Sequence, residues 1–201
     1  MEFTLRPIST LDQAGLARLT ALHCAVMHGL LTDLGPPVVR QYYACAQTDA
    51  SVLGLCALSP DGSVIGWAMG SPDPAKLNAR LRQPPVWFAS QMGRLALRRP
   101  GVFLGLLRSV FSASPANRLR AGQVELTYIG VSSEARGLGL GKRLLQGFIA
   151  QARSAGYASV ALSVETDNAF AVALYTNSGF RITRTFAEGP YDRHRMEYRL
   201  I

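Results

Sequence analysis

The residues of this chain best suited to chemistry lie in one short run, Arg136-Gly137-Leu138-Gly139-Leu140-Gly141-Lys142. Glycine has no side chain to block a close approach and tolerates positive φ, so several backbone N–H groups can converge on one anion. A helix starting here would add about half a positive charge at its N-terminus, and Arg136 and Lys142 add whole ones. A phosphate or pyrophosphate is the natural guest. Two familiar phosphate loops do not fit. The Walker pattern needs glycine where Arg136 stands and Ser or Thr where Arg143 stands. The dinucleotide pattern needs a third glycine where Lys142 or Leu144 stands.

The elements around the loop are readable. Val124–Val131, rich in β-branched and aromatic residues, predicts a strand. Leu144, Leu145, Phe148, Ile149 and Ala152 recur at helical spacing, and Gly156 supplies a stop. A strand over Ser159–Val164 precedes Asp167-Asn168-Ala169-Phe170-Ala171-Val172-Ala173-Leu174-Tyr175-Thr176-Asn177-Ser178-Gly179-Phe180.

Two segments carry a family resemblance. Arg136 to Gly141 fits Arg/Gln-x-x-Gly-x-Gly/Ala residue for residue, and Asn168 is followed by Ala-x-x-Leu-Tyr-x-x-x-Gly-Phe. On these motifs, spanning about 124–186, the chain resembles the GNAT family of N-acetyltransferases. The resemblance implies an α/β (α+β) fold: a mixed, largely antiparallel central sheet flanked by helices, here with a helical insertion before strand 4. It implies transfer of an acetyl group from acetyl-CoA, a co-substrate, to an amine by direct attack. Arg136, Gly137, Gly139, Gly141 and Lys142 would hold the pyrophosphate. Ile129 and Val131 would offer backbone groups to the pantetheine arm and the thioester oxygen. Asn168 would contact the pantetheine, against a plain reading as a helix cap. Glu125 matches a general base, against a glutamate in a structural hydrogen bond. Tyr175 matches the phenol that returns a proton to the departing thiolate, against an aromatic that only packs.

The same resemblance leaves other functions open. One is a CoA-binding regulatory or membrane-associated module without turnover. Another is an acyltransferase with a longer acyl donor or a hydroxyl acceptor. The acceptor amine itself, small molecule or protein, is not legible.

Along the chain, Phe3–Ile8 reads as a strand, with Ser9 and Thr10 capping a helix over Leu11–Leu30. Gly35-Pro36-Pro37 breaks it, and Val38–Gln47 reads as a second helix. Val52–Leu58 and Val64–Gly70 flank a Pro-Asp-Gly turn, so they predict an antiparallel hairpin. Gly54, Gly66 and Gly70 would mark bulges or a close approach there. Residues 71–122 form the insertion, read as two short helices separated by Pro100-Gly101. Arg94, Arg98, Arg99 and Arg108 interleave with apolar residues, which suits packing over the domain, or contact with a membrane surface or a partner. Arg181–Ala187, a Glu188-Gly189-Pro190 turn and His194–Leu200 close the chain as a hairpin.

Composition sets the outer limits. The chain has 201 residues, 48% of them hydrophobic, and a formal net charge of +8. That predicts a single globular domain over 1–201 and an acidic ligand or surface, with nucleic acid not expected. Cys24, Cys45 and Cys56 form no CxxC pair, and no apolar run reaches the length of a membrane span, so a cytoplasmic protein is expected. Homodimerisation is left open. His23, Cys24 and His28 have two-ligand spacing without further ligands nearby, which reads as packing and not as a metal site. Asp192 and His194, by the last turn, are candidates for acceptor contact.

Overall fold

A computed structural model describes residues 2–101, 103–104, 119–188 and 191–200. Its strands are β1 (Thr4–Pro7), β2 (Leu53–Leu58), β3 (Val64–Ser71), β4 (Gln123–Val131), β5 (Ser159–Glu165), β6 (Arg181–Glu188) and β7 (Tyr191–Arg199). They form one sheet in the order β1-β2-β3-β4-β5-β7-β6. Among the described residues, only β4 and β5 run parallel; every other neighbouring pair is antiparallel. The mixed, largely antiparallel sheet expected from the sequence is therefore present.

The helices are α1 (Gln13–Val26), α2 (Leu30–Asp33), α3 (Pro36–Gln47), α4 (Pro74–Leu81), α5 (Pro85–Arg98), α6 (Leu140–Ser154) and α7 (Ala169–Asn177). Two cores, one on each face of the sheet, follow from strand alternation. Leu55, Ala57 and Ala68 face α6, which buries Leu140, Leu144, Leu145, Phe148, Ile149 and Ala152. Cys56, Trp67 and Met69 face α1 and α3. Burial of each large α6 side chain is worth about 1.5–3 kcal/mol, so packing and not propensity holds the helix that follows the glycine loop.

Several boundaries differ from expectation. Ile8–Thr10 is a 3-10 turn, and α1 is capped by Asp12, whose Oδ1 accepts from Gly15 N–H at 2.7 Å, not by Ser9 or Thr10. The helix stops at Val26, and the separate turn of α2 follows Gly29, at φ 124°. In the insertion, α5 is the first of the two expected helices, and its Gln91 and Leu95 are buried. The second expected helix falls largely on 105–118, outside the described residues. A further helix, α4, was not anticipated, although Asp73-Pro74 is a legible start: Asp73 Oδ1 accepts from Lys76 N–H at 2.9 Å. β7 begins at Tyr191, before His194, because its pairing with β6 extends to Glu188↔Tyr191. Among the described residues, no helix is long and apolar enough to cross a membrane.

The register of β3 against β4 slips once. Met69 faces Tyr128, but the next residue, Gly70, faces Leu126, so Thr127 is an extra residue in β4. Such a bulge reverses which side chains point to which face. Val124 and Leu126 before it, and Ile129 and Val131 after it, all pack with the α6 core. Only glycine fits opposite the bulge: a Cβ on Gly70 would overlap the Glu125 carbonyl oxygen and meet Phe148 Cζ at 2.6 Å.

On the other face His23 is 1% exposed, with Nδ1 2.8 Å from Tyr43 Oη and the Tyr128 ring centroid at 5.0 Å. Burial lowers its pKa from 6.5 to about 4. It is a core residue held neutral.

Two outcomes follow for stability. Gly70→Ala should cost about 1–3 kcal/mol or more in urea unfolding, as expected for overpacking against backbone; an unchanged midpoint would contradict the bulge. In the unfolded chain His23 gains a proton below pH 6.5, but in the fold only near 4, so stability falls as pH drops through that window. The share due to this residue between pH 7 and 5 is about 2 kcal/mol. Imidazole NMR should give a midpoint near 4, and one near 6.5 would mean the ring is not buried in solution.

Candidate active site

Parallel pairing of β4 with β5 ends almost as soon as it begins. The pairs are Gln123↔Ser159, Val124↔Val160 and Glu125↔Ala161. Beyond them β4 continues on β3 alone, and β5 continues on β7 alone. The strands therefore fork, and each turns an edge of unpaired backbone groups toward the gap. Ile129 and Val131 lie on the β4 arm of this fork, half-buried.

The glycine loop stands at the open end of the β4 arm. A short turn over Ser133–Ala135 follows the strand, anchored by Ser132 N–H donating to the Ile65 carbonyl at 2.9 Å. Gly137 and Gly139 then take φ of 78° and 74°, a region that side-chain-bearing residues avoid. Beyond immediate chain neighbours, no atom lies within 4 Å of where their Cβ atoms would be. Conformation requires these glycines, and the space above them is open. The first helical bond runs from Arg143 N–H to the Gly139 carbonyl at 3.2 Å, leaving the N–H groups of Leu140, Gly141 and Lys142 ahead of the ladder. Gly141 is set against the strand: its Cβ would lie 3.8 Å from Val131 and 3.7 Å from Leu174. Arg136 and Lys142 are exposed. These groups fit a diphosphate.

Glu125 is the last β4 residue paired with β5, so it sits at the vertex. Its Oε1 accepts a 2.6 Å hydrogen bond from Arg195 Nη1, which also donates to Ser163 Oγ at 3.1 Å. Burial raises the carboxyl pKa, the Arg195 charge and hydrogen bond pull it down, and nearby Glu188 adds to the rise. The carboxyl is thus in a structural hydrogen bond, one of the two roles weighed from the sequence, and has a raised proton affinity as well. Tyr42 lies close enough to feel its charge, and stands edge-on to Tyr128 at 5.7 Å.

Tyr175 is fixed by the end of α7. Phe180 N–H donates to the Tyr175 carbonyl at 3.0 Å, and Gly179 N–H to the Thr176 carbonyl at 3.0 Å, with Gly179 at φ 94°. This is a Schellman cap, and its hydrophobic contact is the Tyr175–Phe180 ring pair at 5.8 Å. The Leu-Tyr-x-x-x-Gly-Phe run is thus a device that locks the tyrosine. Tyr175 is 7% exposed, and burial pushes its phenol up to about 12. Asn168 caps the other end of α7, its Oδ1 accepting from Ala171 N–H at 3.1 Å.

The closing hairpin supplies residues that sequence reasoning passed over. Arg193 forms ion pairs with Glu165 at 3.3 Å and Glu188 at 3.2 Å, and Arg195 holds Glu125. The available signal was the alternation of Arg193 and Arg195 in a strand antiparallel to β5. His194 pairs instead with Thr185 of β6, Nδ1 to Oγ1 at 2.8 Å, while the Asp192 carbonyl accepts from Thr166 N–H at 2.9 Å. Among the described residues, no group of three His, Cys, Asp or Glu side chains could hold a metal ion.

Among the described residues one cavity borders these elements, and another lies elsewhere. One, of about 410 Å³, runs from Lys142 along α6 past Gln146 and Arg153 to Asn177, Ser178 and Tyr198. The other, of about 420 Å³, lies between Thr32–Pro37 and the α5 residues Gln91, Arg94, Leu95 and Arg98, with Arg99.

Comparisons with known proteins accord with this geometry. Residues 22–180 match the Acetyltransferase (GNAT) family. A mycothiol acetyltransferase of Jonesia denitrificans is 27% identical over 165 residues, covering 80% of this chain and 48% of its own. That of Paenarthrobacter aurescens is 36% identical over 111 residues, covering 55% and 33%. The chain thus spans between a third and a half of the length of these curated relatives. Among solved structures, yncA of Salmonella typhimurium, determined with its cofactor acetyl-CoA, superposes with a TM-score of 0.62 at 20% identity, covering 100% of this chain and 95% of that one. The ribosomal-protein-S18-alanine N-acetyltransferase of Escherichia coli gives 0.62 at 15% identity, covering 99% and 94%; both likenesses are likenesses of fold. With most of its length matched by the family, the chain is a member of the GNAT acetyltransferases.

Proposed function

We infer that this protein transfers the acetyl group of acetyl-CoA to an amine acceptor, with the whole chain acting as one acetyltransferase domain. The observation that carries the reading is the fork of β4 and β5 with a glycine-rich helix start at the end of the β4 arm. In this reading the thioester supplies an acylating carbon, and the protein supplies position, charge and proton transfer. The free N–H groups of the loop, with Arg136 and Lys142 beside Gly137, Gly139 and Gly141, neutralise the pyrophosphate. The edge of β4 around Ile129 and Val131 lines the pantetheine arm and donates to the thioester oxygen, where charge develops as the amine attacks. Asn168 keeps its amide N–H₂ for the arm while its Oδ1 serves the cap. The groove from Lys142 to Arg153, whose lining includes no carboxylate, suits the nucleotide phosphates.

Glu125 takes the proton that the attacking amine sheds, directly or through water. Its raised proton affinity improves it as a base and moves its loss by protonation to higher pH than for an ordinary carboxylate. Tyr175 returns a proton to the departing sulfur. With a pKa raised to about 12 the phenol stays protonated at every working pH, as a donor must. The names of the relatives favour a small-molecule acceptor, with mycothiol-type amines to be tried first.

Calorimetric titration with acetyl-CoA, beside NADH and ATP, tests the reading. Selective binding in the micromolar range is expected, and a folded protein that ignores acetyl-CoA would overturn it. Gly139→Val should reduce that binding at least tenfold, because valine resists the φ of 74° that presents the loop; an unchanged affinity would remove the loop from the site. Release of CoA thiol in the presence of a panel of amines gives the rate. There Tyr175→Phe should lower kcat by about 10²-fold with KM for acetyl-CoA nearly unchanged, and an equal kcat would leave Tyr175 as packing alone.

A further inference from the structure

Arg195 stands on β7, two strands away from Glu125. It lies directly opposite Ser163 of β5, and Ser163 is two residues beyond Ala161, the last β5 residue paired with β4. Residues paired across a sheet, and residues two apart along a strand, share one face. Glu125, Ser163 and Arg195 therefore project from the same side at the vertex of the fork. One nitrogen, Nη1, reaches both Glu125 Oε1 at 2.6 Å and Ser163 Oγ at 3.1 Å. A single guanidinium thus ties three adjacent strands together where the β4–β5 ladder gives out. The side chains involved are sheltered, 11% exposed for Arg195 and 20% for Glu125, so the pair is screened far less than a surface ion pair.

We propose that Arg195 is a positioning residue that fixes the Glu125 carboxylate at the fork, committing Oε1 and leaving Oε2 to meet the acceptor amine. This rests on the assignment of Glu125 as the base. Oε2 has no hydrogen-bond partner among the described residues, and it is the oxygen left to accept a proton. A carboxylate that both faces water and swings freely holds no fixed geometry; one oxygen pinned by a charged donor leaves the other with a defined direction. Ser163 in turn fixes the guanidinium.

The charged and titratable groups around Glu125 are few enough to state the electrostatic consequence. Arg195 on β7 favours its anion, Glu188 on β6 opposes it, and Tyr42 on α3 feels its charge. Arg193 of β7 is ion-paired with Glu165 and Glu188. Burial alone would push the carboxyl further up, and Arg195 is the group that restrains the rise.

Carboxyl NMR of the full chain, without any substrate, tests this independently of turnover. In Arg195→Met the Glu125 midpoint should rise by roughly one pH unit relative to wild type, and Arg195→Lys should restore most of the difference because the cation returns. A Glu125 midpoint that does not move in Arg195→Met, with the fold retained, would overturn the proposal. So would a midpoint in Arg195→Lys that matches the methionine variant, since the charge would then be irrelevant. If Arg195→Met does not fold, Arg195→Lys and Ser163→Ala carry the test. The lysine variant should stay close to the wild-type midpoint, and loss of Ser163 should broaden the Glu125 carboxyl signal; a midpoint raised by about one pH unit or more in the first, or an unchanged signal in the second, refutes it. Calorimetry with acetyl-CoA separates the two readings. Intact acetyl-CoA binding with an unmoved Glu125 midpoint sinks only the role of Arg195. Absent binding with a moved midpoint sinks the acetyltransferase assignment and leaves the clamp standing.

Discussion

Two adjacent strands that part after three pairs leave backbone groups that must find partners elsewhere, and the remainder of this fold is arranged around that requirement. β4 keeps one full ladder, with β3, and β5 keeps one, with β7. Each arm of the fork is thus held on its outer edge, while the inner edges carry backbone groups without ladder partners. Side chains alone could not offer this. A row of backbone donors and acceptors held by sheet pairing loses little further entropy on meeting a ligand.

Three different devices hold the fork open. On the β4 arm, the Thr127 bulge turns the strand so that Ile129 and Val131 rejoin the α6 core instead of pointing away from it. Beside it, α6 packs Leu144, Leu145 and Phe148 into that core, which keeps the helix N-terminus and its free N–H groups at the end of the β4 arm. Across the vertex, the Glu125–Arg195–Ser163 contact replaces the ladder bonds that end there. Only the last of these is polar, and it is the one that lies with a titratable carboxyl. Packing makes the opening, and electrostatics tunes what stands at its root.

What the sequence disclosed divides along the same line. The glycine loop, α6 and the Leu-Tyr-x-x-x-Gly-Phe run were legible because their information is local: turn conformation, helical period and a cap written in consecutive residues. Which of Leu55, Cys56, Trp67 and Ala68 meets which core was not legible, because both strands are apolar and buried on both faces. The bulge was not, because one extra residue changes the register without changing composition. Nor was the partner of Glu125, which lies 70 residues away and is chosen by the pairing of β5 with β7. The start of α4 at Asp73-Pro74 was readable but was obscured by treating the insertion as one basic, apolar stretch. Ser9 and Thr10 were attractive caps for α1, yet Asp12 lies nearer the first apolar turn and its carboxylate bonds the helix directly.

The net charge of +8 acquires a more specific sense from the structure. On the α6 side the cations are exposed and include Arg136, Lys142 and Arg153, along a loop and groove that a polyanion can cover. On the β5–β7 side the two arginines near the fork are matched: Arg193 with Glu165 and Glu188, Arg195 with Glu125. An excess of positive charge near the fork would disfavour a cationic amine and lower the proton affinity of the carboxyl proposed to receive its proton. Pairing removes that penalty where the amine would arrive and leaves the surplus where phosphate would lie. Near the fork, the exposed basic charge therefore lies along the glycine loop and α6, and not beside Glu125.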